Sequence, residues 1–372
     1  MSKYSTIVGL DLGDRYSHFC VMDPDGEIVE QGRLRTTRAA LLRKFGAMER
    51  ARVAMEVCTY SPWVSRQLKG YGHEVLVANP RKVALIYGSM RKRDEIDAES
   101  LARLARLDPQ LLSPIEHRGL HAQQDMAMVR AREVLVKART QLVNSVRSVM
   151  KSMGYRAVQC STDCFHRKVL LQLPAVLTDA LAGVVTMIGE LSAQIAVYDK
   201  MLAQLAQERY PETVLLQQVT AVGPLTALAY VLTVEDPYRF AKSRSVGAYL
   251  GLVPKQSQSG QSDPQLRISK TGSRLVRRLL VGSAHYIMGP FGPDTELRRW
   301  GLAMAERGGK NAKKRAVVAV ARKLAVLLHK LWITGQVYEP LGYSDKKAPL
   351  AVAACDETNQ VPFSATTAGG SD

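Results

Sequence analysis

A chain of 372 residues, 46% of them hydrophobic, is long enough for two or three domains with real cores, which excludes a mainly disordered protein. Its 51 Lys and Arg against 34 Asp and Glu leave a net charge of +17, far from the balance of a small-molecule enzyme and suited to a polyanionic partner, most simply nucleic acid. No signal-peptide pattern opens the chain and no apolar run reads as long enough for a bilayer, so a cytoplasmic, nucleoid-associated protein without membrane contact is expected. Cys20, Cys58, Cys160, Cys164 and Cys355 are odd in number and scattered, as free thiols are in a reducing compartment.

Residues 7–12 are a compact apolar run interrupted by Asp11, the pattern of a strand buried on both faces that carries a carboxylate to its end. Pro24-Asp25-Gly26 marks a turn between residues 18–23 and 27–34, which predicts a hairpin. A helix over 39–48 precedes a strand over 52–57 that ends on a second carboxylate, Glu56. A helix over 62–69 is stopped by Gly70 and Gly72, and 73–79 supply another strand. The stretch 91–106 lacks Gly and Pro and spaces Ile96, Leu101 and Leu104 as a helix does. Asp94 and Asp97 then share one face, crowded by Arg91, Lys92 and Arg93. The bland alternative is a solvated helix start with acids placed by the dipole.

Residues 120–153 space Met126, Val129, Val134, Leu142, Val146 and Val149 as one long helix, and 175–209 do the same with Leu181, Val185, Ile188, Leu191, Ile195 and Leu202. A helical hairpin or coiled coil is expected, serving either self-association or plain core packing. Arg130, Arg132, Lys137, Arg139, Arg147, Lys151 and Arg156 along the first helix would suit a nucleic-acid backbone, or form an ordinary basic helix face. Gly223, between two helical runs, resembles the turn of a helix-hairpin-helix, whose N–H groups can accept a phosphate; a glycine packing two helices closely is the equal alternative. A polar loop over 255–263 follows an apolar run, and helices over 274–287 and 313–332 close the segment. Beyond Pro340 the composition reads as a flexible tail.

The expected fold class is therefore α/β, with four parts: 1–115, an α/β domain bearing acids; 116–210, a helical coiled-coil insertion; 211–338, a mostly helical domain; and 339–372, the tail. Asp11, Glu56, Asp94 and Asp97 fall at the ends of neighbouring strands and on the helix that follows. Four carboxylates so placed could hold two Mg2+ ions about 4 Å apart, as phosphodiester displacement requires. All-oxygen ligands without a His or Cys cluster favour magnesium over zinc.

Val8-Gly9-Leu10-Asp11, Met55-Glu56 and Arg93-Asp94-Glu95-Ile96-Asp97-Ala98 resemble the RuvC-like acidic tetrad of the IS110/IS1111 family of transposases. The resemblance continues through Val222-Gly223-Pro224-Leu225-Thr226-Ala227, Tyr249-Leu250-Gly251-Leu252-Val253-Pro254, Gln258-Ser259-Gly260 and Ile268-Ser269-Lys270-Thr271-Gly272, which are similar to that family's second domain. It implies a RuvC/RNase H-like N-terminal domain and a serine nucleophile, Ser259, with Ser257 and Ser262 as neighbouring candidates. It further implies DNA partners chosen by a structured noncoding guide RNA, and dimers that assemble into tetramers with the active site completed between subunits. The rival classes are a junction-resolving RuvC-like nuclease and a non-catalytic DNA-binding scaffold. An actin-like ATPase, suggested by residues 11–17, ranks last for want of a second phosphate motif.

Overall fold

A computed structural model of the chain describes residues 4–80, 94–264, 266–309 and 311–341. Arg91, Lys92, Arg93, Cys355 and nearly all of the expected tail lie outside them. Contacts divide the chain into two units that meet in sequence at Gly119 and Leu120.

In the first unit five strands, β1 (Ile7–Asp11), β2 (Tyr16–Met22), β3 (Ile28–Arg35), β4 (Arg52–Glu56) and β5 (Glu74–Ala78), form one sheet in the order β3-β2-β1-β4-β5. β1 runs antiparallel to β2 and parallel to β4, so the sheet is mixed, consistent with the RuvC-like domain expected. β1 sits at its centre, which is why Ile7, Val8 and Leu10 are all fully buried. The hairpin between β2 and β3 turns where Asp23 Oδ1 accepts from the N–H groups of Gly26 and Glu27, with Gly26 at φ +97°. Helices α1 (Arg38–Phe45) and α2 (Ser61–Gly70) cover one face, packing Leu41, Phe45, Val64 and Leu68 against Val8, Leu10, Val53 and Met55. Helix α3 (Asp94–Leu107) covers the other, setting Ala98, Leu101, Ala102 and Ala105 on Ile7, Cys20 and Ala54.

The strand period of two places Ile7, Gly9 and Asp11 together on the α3 face. Gly9 is what lets the helix lie so close. A Cβ built there would fall 1.9 Å from the carbonyl oxygen of Ala98 and 2.6 Å from the backbone N of Ala102. Those atoms are helix backbone and cannot rotate away. Gly9→Ala is expected to destabilise the first unit by about 3 kcal/mol, the upper end for overpacking, and to push α3 outward. A lowered unfolding midpoint together with lost activity would show it; an unchanged midpoint would contradict the close packing.

In the second unit α4 (Leu120–Ser152) and α6 (Ala175–Arg209) pack side by side and antiparallel. Val143, Val146 and Met150 meet Leu177, Leu181, Val185 and Ile188 at one end, joined by Phe165 and Val169 of the short α5 (Phe165–Leu170). Met126 and Val129 meet Leu202 and Leu205 at the other. There the buried Asp125 accepts hydrogen bonds from Arg209 and Tyr210, and burial with that carboxylate pushes the Tyr210 phenol well up. Contrary to the sequence expectation, α6 is long and apolar enough to cross a membrane by length and composition, with a window of mean hydropathy 1.6. Leu177, Leu181, Val185 and Ile188 nevertheless pack on α4 and α5, whereas Val176, Met187, Val197 and Met201 are exposed.

Beyond them lie α7 (Thr213–Gln217), α8 (Pro224–Val234), α9 (Arg244–Tyr249), α10 (Arg274–Met288), α11 (Glu296–Glu306) and α12 (Ala312–Thr334). α8 is the core of this group, buried from Thr226 to Val234, and the Tyr230 hydroxyl donates to the Ala325 carbonyl of α12 at 2.7 Å.

Candidate functional site

Asp11, Asp94 and Asp97 come together. Each offers a carboxylate oxygen, and these atoms lie within 4.8 Å of one another, forming a group of mutually close acids among the described residues. Asp11 arrives at the C-terminal end of the central strand, and Asp94 and Asp97 lie on the first turn of α3, Asp94 one turn ahead of the Ala98 that packs over Gly9 and Asp97 immediately before it. Glu56 ends β4 on the same face, since Ala54 pairs with Gly9 and shares its packing on α3. It stands beside Asp11 on the neighbouring strand but is not in the three-carboxylate group.

Sequence reasoning missed His18. On β2 it pairs directly with Asp11, and its Nδ1 lies 3.7 Å from Oδ2 of Asp94. Its place opposite Asp11 is set by the short connection from Asp11 to Tyr16, which fixes the register of β1 on β2. Beyond β1 the chain turns tightly at Gly13, and the Tyr60 hydroxyl donates to Asp14, which holds that phenol protonated to higher pH than usual.

Three carboxylates at this spacing repel one another, and a divalent cation among them removes the repulsion. The donor set is all oxygen, half-buried at Asp11 and Asp97 and open at Asp94, whose side chain is 64% exposed. That combination fits a hard cation that keeps part of its water shell, as Mg2+ does.

In the second unit Ser259 stands at the tip of a hairpin. Pro254 bridges to Ile268 at the base, and Ser259 and Ser262 exchange backbone hydrogen bonds of 3.1 and 3.0 Å around Gly260, whose φ is +56°. Ser257, Ser259 and Ser262 are all exposed. Two glycines clamp the base. Gly251 (φ +68°) leaves no room for a Cβ against Thr271, and Gly272 (φ +68°) none against the Tyr249 carbonyl, while Arg277 donates to the carbonyls of Leu250 and Thr271. The motifs flanking the serine are thus the parts that hold its hairpin in place.

The basic face expected along α4 is largely spent internally. Arg132 pairs with Asp199, Lys137 with Glu133, Arg139 is buried against Ser192, and Arg147 lies over the Phe165 ring and donates to the Cys160 carbonyl. A sequence pattern counts charges but cannot see that α6 returns acids and hydroxyls to the same face. Arg130, Lys151 and Arg156 stay exposed.

Residues 8–154 match the transposase family DEDD_Tnp_IS110, and residues 214–296 match the family Transposase IS116/IS110/IS902, together more than half of the chain. The chain belongs to the IS110/IS1111 family of transposases. It is 26% identical to the transposase for insertion sequence element IS1111A of Coxiella burnetii, over 89% of this chain and 91% of that one. A probable family 20 transposase of Pseudomonas aeruginosa is 29% identical over 90% and 98% of the two chains, and the transposase for insertion sequence element IS1328 of Yersinia enterocolitica is 26% identical over the same shares. Membership of this transposase family implies DNA binding, cleavage and rejoining, and dependence on a divalent metal.

Proposed function

We propose that this transposase moves its insertion element by cutting and rejoining DNA at a site where Asp11, Glu56, Asp94 and Asp97 hold two Mg2+ ions and Ser259 supplies the nucleophile. The observation that carries the reading is the convergence of Asp11, Asp94 and Asp97 from one strand end and one helix turn. When bound, the cations offset charge building on the phosphate oxygens and favour the ionised hydroxyl. Ser259 Oγ attacks phosphorus, an O–P bond forms to the serine, and the bond to the departing strand's oxygen breaks, leaving that strand a free hydroxyl. The phosphoserine ester conserves the bond energy, so a hydroxyl of another strand can displace the serine and reseal the backbone. Water in place of serine would lose it.

In this reading residues 1–115 are the metal-dependent domain, 116–210 a helical coiled-coil arm for self-association, 211–338 the serine-bearing domain and 339–372 a tail. Exposed apolar residues on the arm, Val134, Val197 and Met201 among them, support a dimer that assembles into a tetramer. The helix-hairpin-helix-like turn at Gly223 contacts DNA backbone. A structured noncoding RNA encoded beside the gene selects donor and target, and the protein works in the cytoplasm on the nucleoid.

The test is strand exchange between two DNA duplexes carrying element ends, with Mg2+ and the transcript flanking the gene. Exchange is expected, and chelation of the metal or omission of the RNA is expected to reduce it below detection. Exchange without RNA would remove the guide from the mechanism. Cleavage without rejoining would favour the junction-resolving nuclease, and binding without cleavage the scaffold.

A further inference from the structure

In the second unit a cavity of about 550 Å³ opens between α9, α11 and α12. Its walls are apolar where Leu297, Met304, Val326 and Leu327 line it, and the indole of Trp300 lines it too. The Lys323 ammonium stands 4.3 Å from the centroid of that ring. Arg244 and Arg322 line the same space, and neither has an ion pair or hydrogen-bond partner among the described residues. Glu296 and Glu339 also line it.

Neither a bare anion nor a plain hydrocarbon suits that mixture. A flat, largely apolar body with negative charge attached does, and polar edges that donate hydrogen bonds would meet the two carboxylates. A nucleotide has all three features: a base to stack by the indole, a backbone phosphate for the guanidinium groups, and amino or imino edges for a carboxylate.

Arg322 links this cavity to the base of the serine hairpin. Its aliphatic stem lies over α9 where Gly247 has no side chain, since a Cβ there would stand 3.1 Å from Arg322 Cγ. The same residue lines a second space of about 530 Å³, shared with Lys255, Gln256 and Asp263 of the Ser259 hairpin. A strand whose phosphate lies against Lys255 and Arg322 at the hairpin would have an adjoining base within reach of Trp300.

We propose that the Trp300 cavity receives one unstacked nucleotide of a single strand, with Arg322 holding the phosphate between that nucleotide and the serine hairpin. This deepens the reading of the chain as a nucleic-acid strand-transfer enzyme and rests on it. The nucleotide could come from a DNA strand or from RNA, and the chemistry is shared.

The experiment measures affinity of the full-length protein for three 12-nucleotide probes: oligo-dT, oligo-rU and a DNA backbone of the same length without bases. Trp300→Ala is expected to weaken binding of a base-bearing probe about tenfold, the scale of one lost stacking contact. Binding of the baseless backbone should stay within about twofold. Trp300→Phe keeps a ring and should retain most of the affinity, whereas Ala319→Phe, which fills the cavity, should reproduce the loss. Loss on dT alone or on rU alone assigns the strand; loss on both means either strand is accepted. An unchanged affinity, or an equal loss on the baseless probe, overturns the proposal. Wild-type protein that binds none of the probes would instead sink the strand-transfer reading itself.

Discussion

Asp11→Asn is expected to slow strand cleavage and exchange by about a thousandfold, the scale set when several kcal/mol of charge stabilisation are lost at the reacting phosphate. The substitution is nearly isosteric, and Asp11 lies at the end of β1 rather than in the packed stretch Ile7 to Leu10, so the sheet should keep its stability. It removes one negative charge from a group of three whose oxygens lie within 4.8 Å, which weakens the hold on a cation more than on anything else. Binding to DNA should persist or tighten slightly, because a protein of net charge +17 has gained another unit of positive balance. Cleavage rates and gel-shift affinities measured at one salt concentration separate the two effects. Exchange at the wild-type rate would rule out a metal site built on Asp11. Loss of binding in parallel with exchange would point to a structural role for the carboxylate.

The strands, the hairpin and the helices were legible because each depends on local pattern: apolar runs for β1 and β4, a Pro-Asp-Gly turn for the hairpin, and 3.6-residue spacing for α4 and α6. Asp11, an acid inside an otherwise apolar strand, announced itself for the same reason. Its neighbours were legible only in part. Asp94 and Asp97 share a helix face by spacing alone, but that this face meets Asp11 depends on Gly9, whose lack of a side chain lets α3 approach the strand backbone. His18 was overlooked because nothing in its local sequence distinguishes it; its position follows from register across two strands. The fate of the α4 cations was invisible for a related reason. Asp199 and Ser192, which engage Arg132 and Arg139, lie 67 and 53 residues further along the chain. The Trp300 cavity is likewise assembled from α9, α11, α12 and the segment after α12, and no single stretch carries it.

Ser259→Ala is expected to abolish the covalent protein–DNA adduct that a suicide substrate traps, leaving folding and DNA binding intact. The hairpin explains why the test is clean. Ser259 contributes its backbone N–H and carbonyl to the pair of hydrogen bonds with Ser262, and alanine keeps both. Its side chain is exposed and supports no packing, so deletion of the hydroxyl should change stability by less than about 0.5 kcal/mol. Ser257→Ala and Ser262→Ala serve as internal controls in the same loop, and mass spectrometry of the trapped peptide distinguishes all three. If the adduct survives in Ser259→Ala, the nucleophile is one of the other two. If it is Ser262, the far side of the tight turn at Gly260 would have to reach the phosphate in place of Ser259. Gly260→Ala separates geometry from chemistry, because φ of +56° is a strained setting for any residue with a Cβ. With Ser259 as nucleophile, that variant should form the adduct more slowly while still forming it on the same serine.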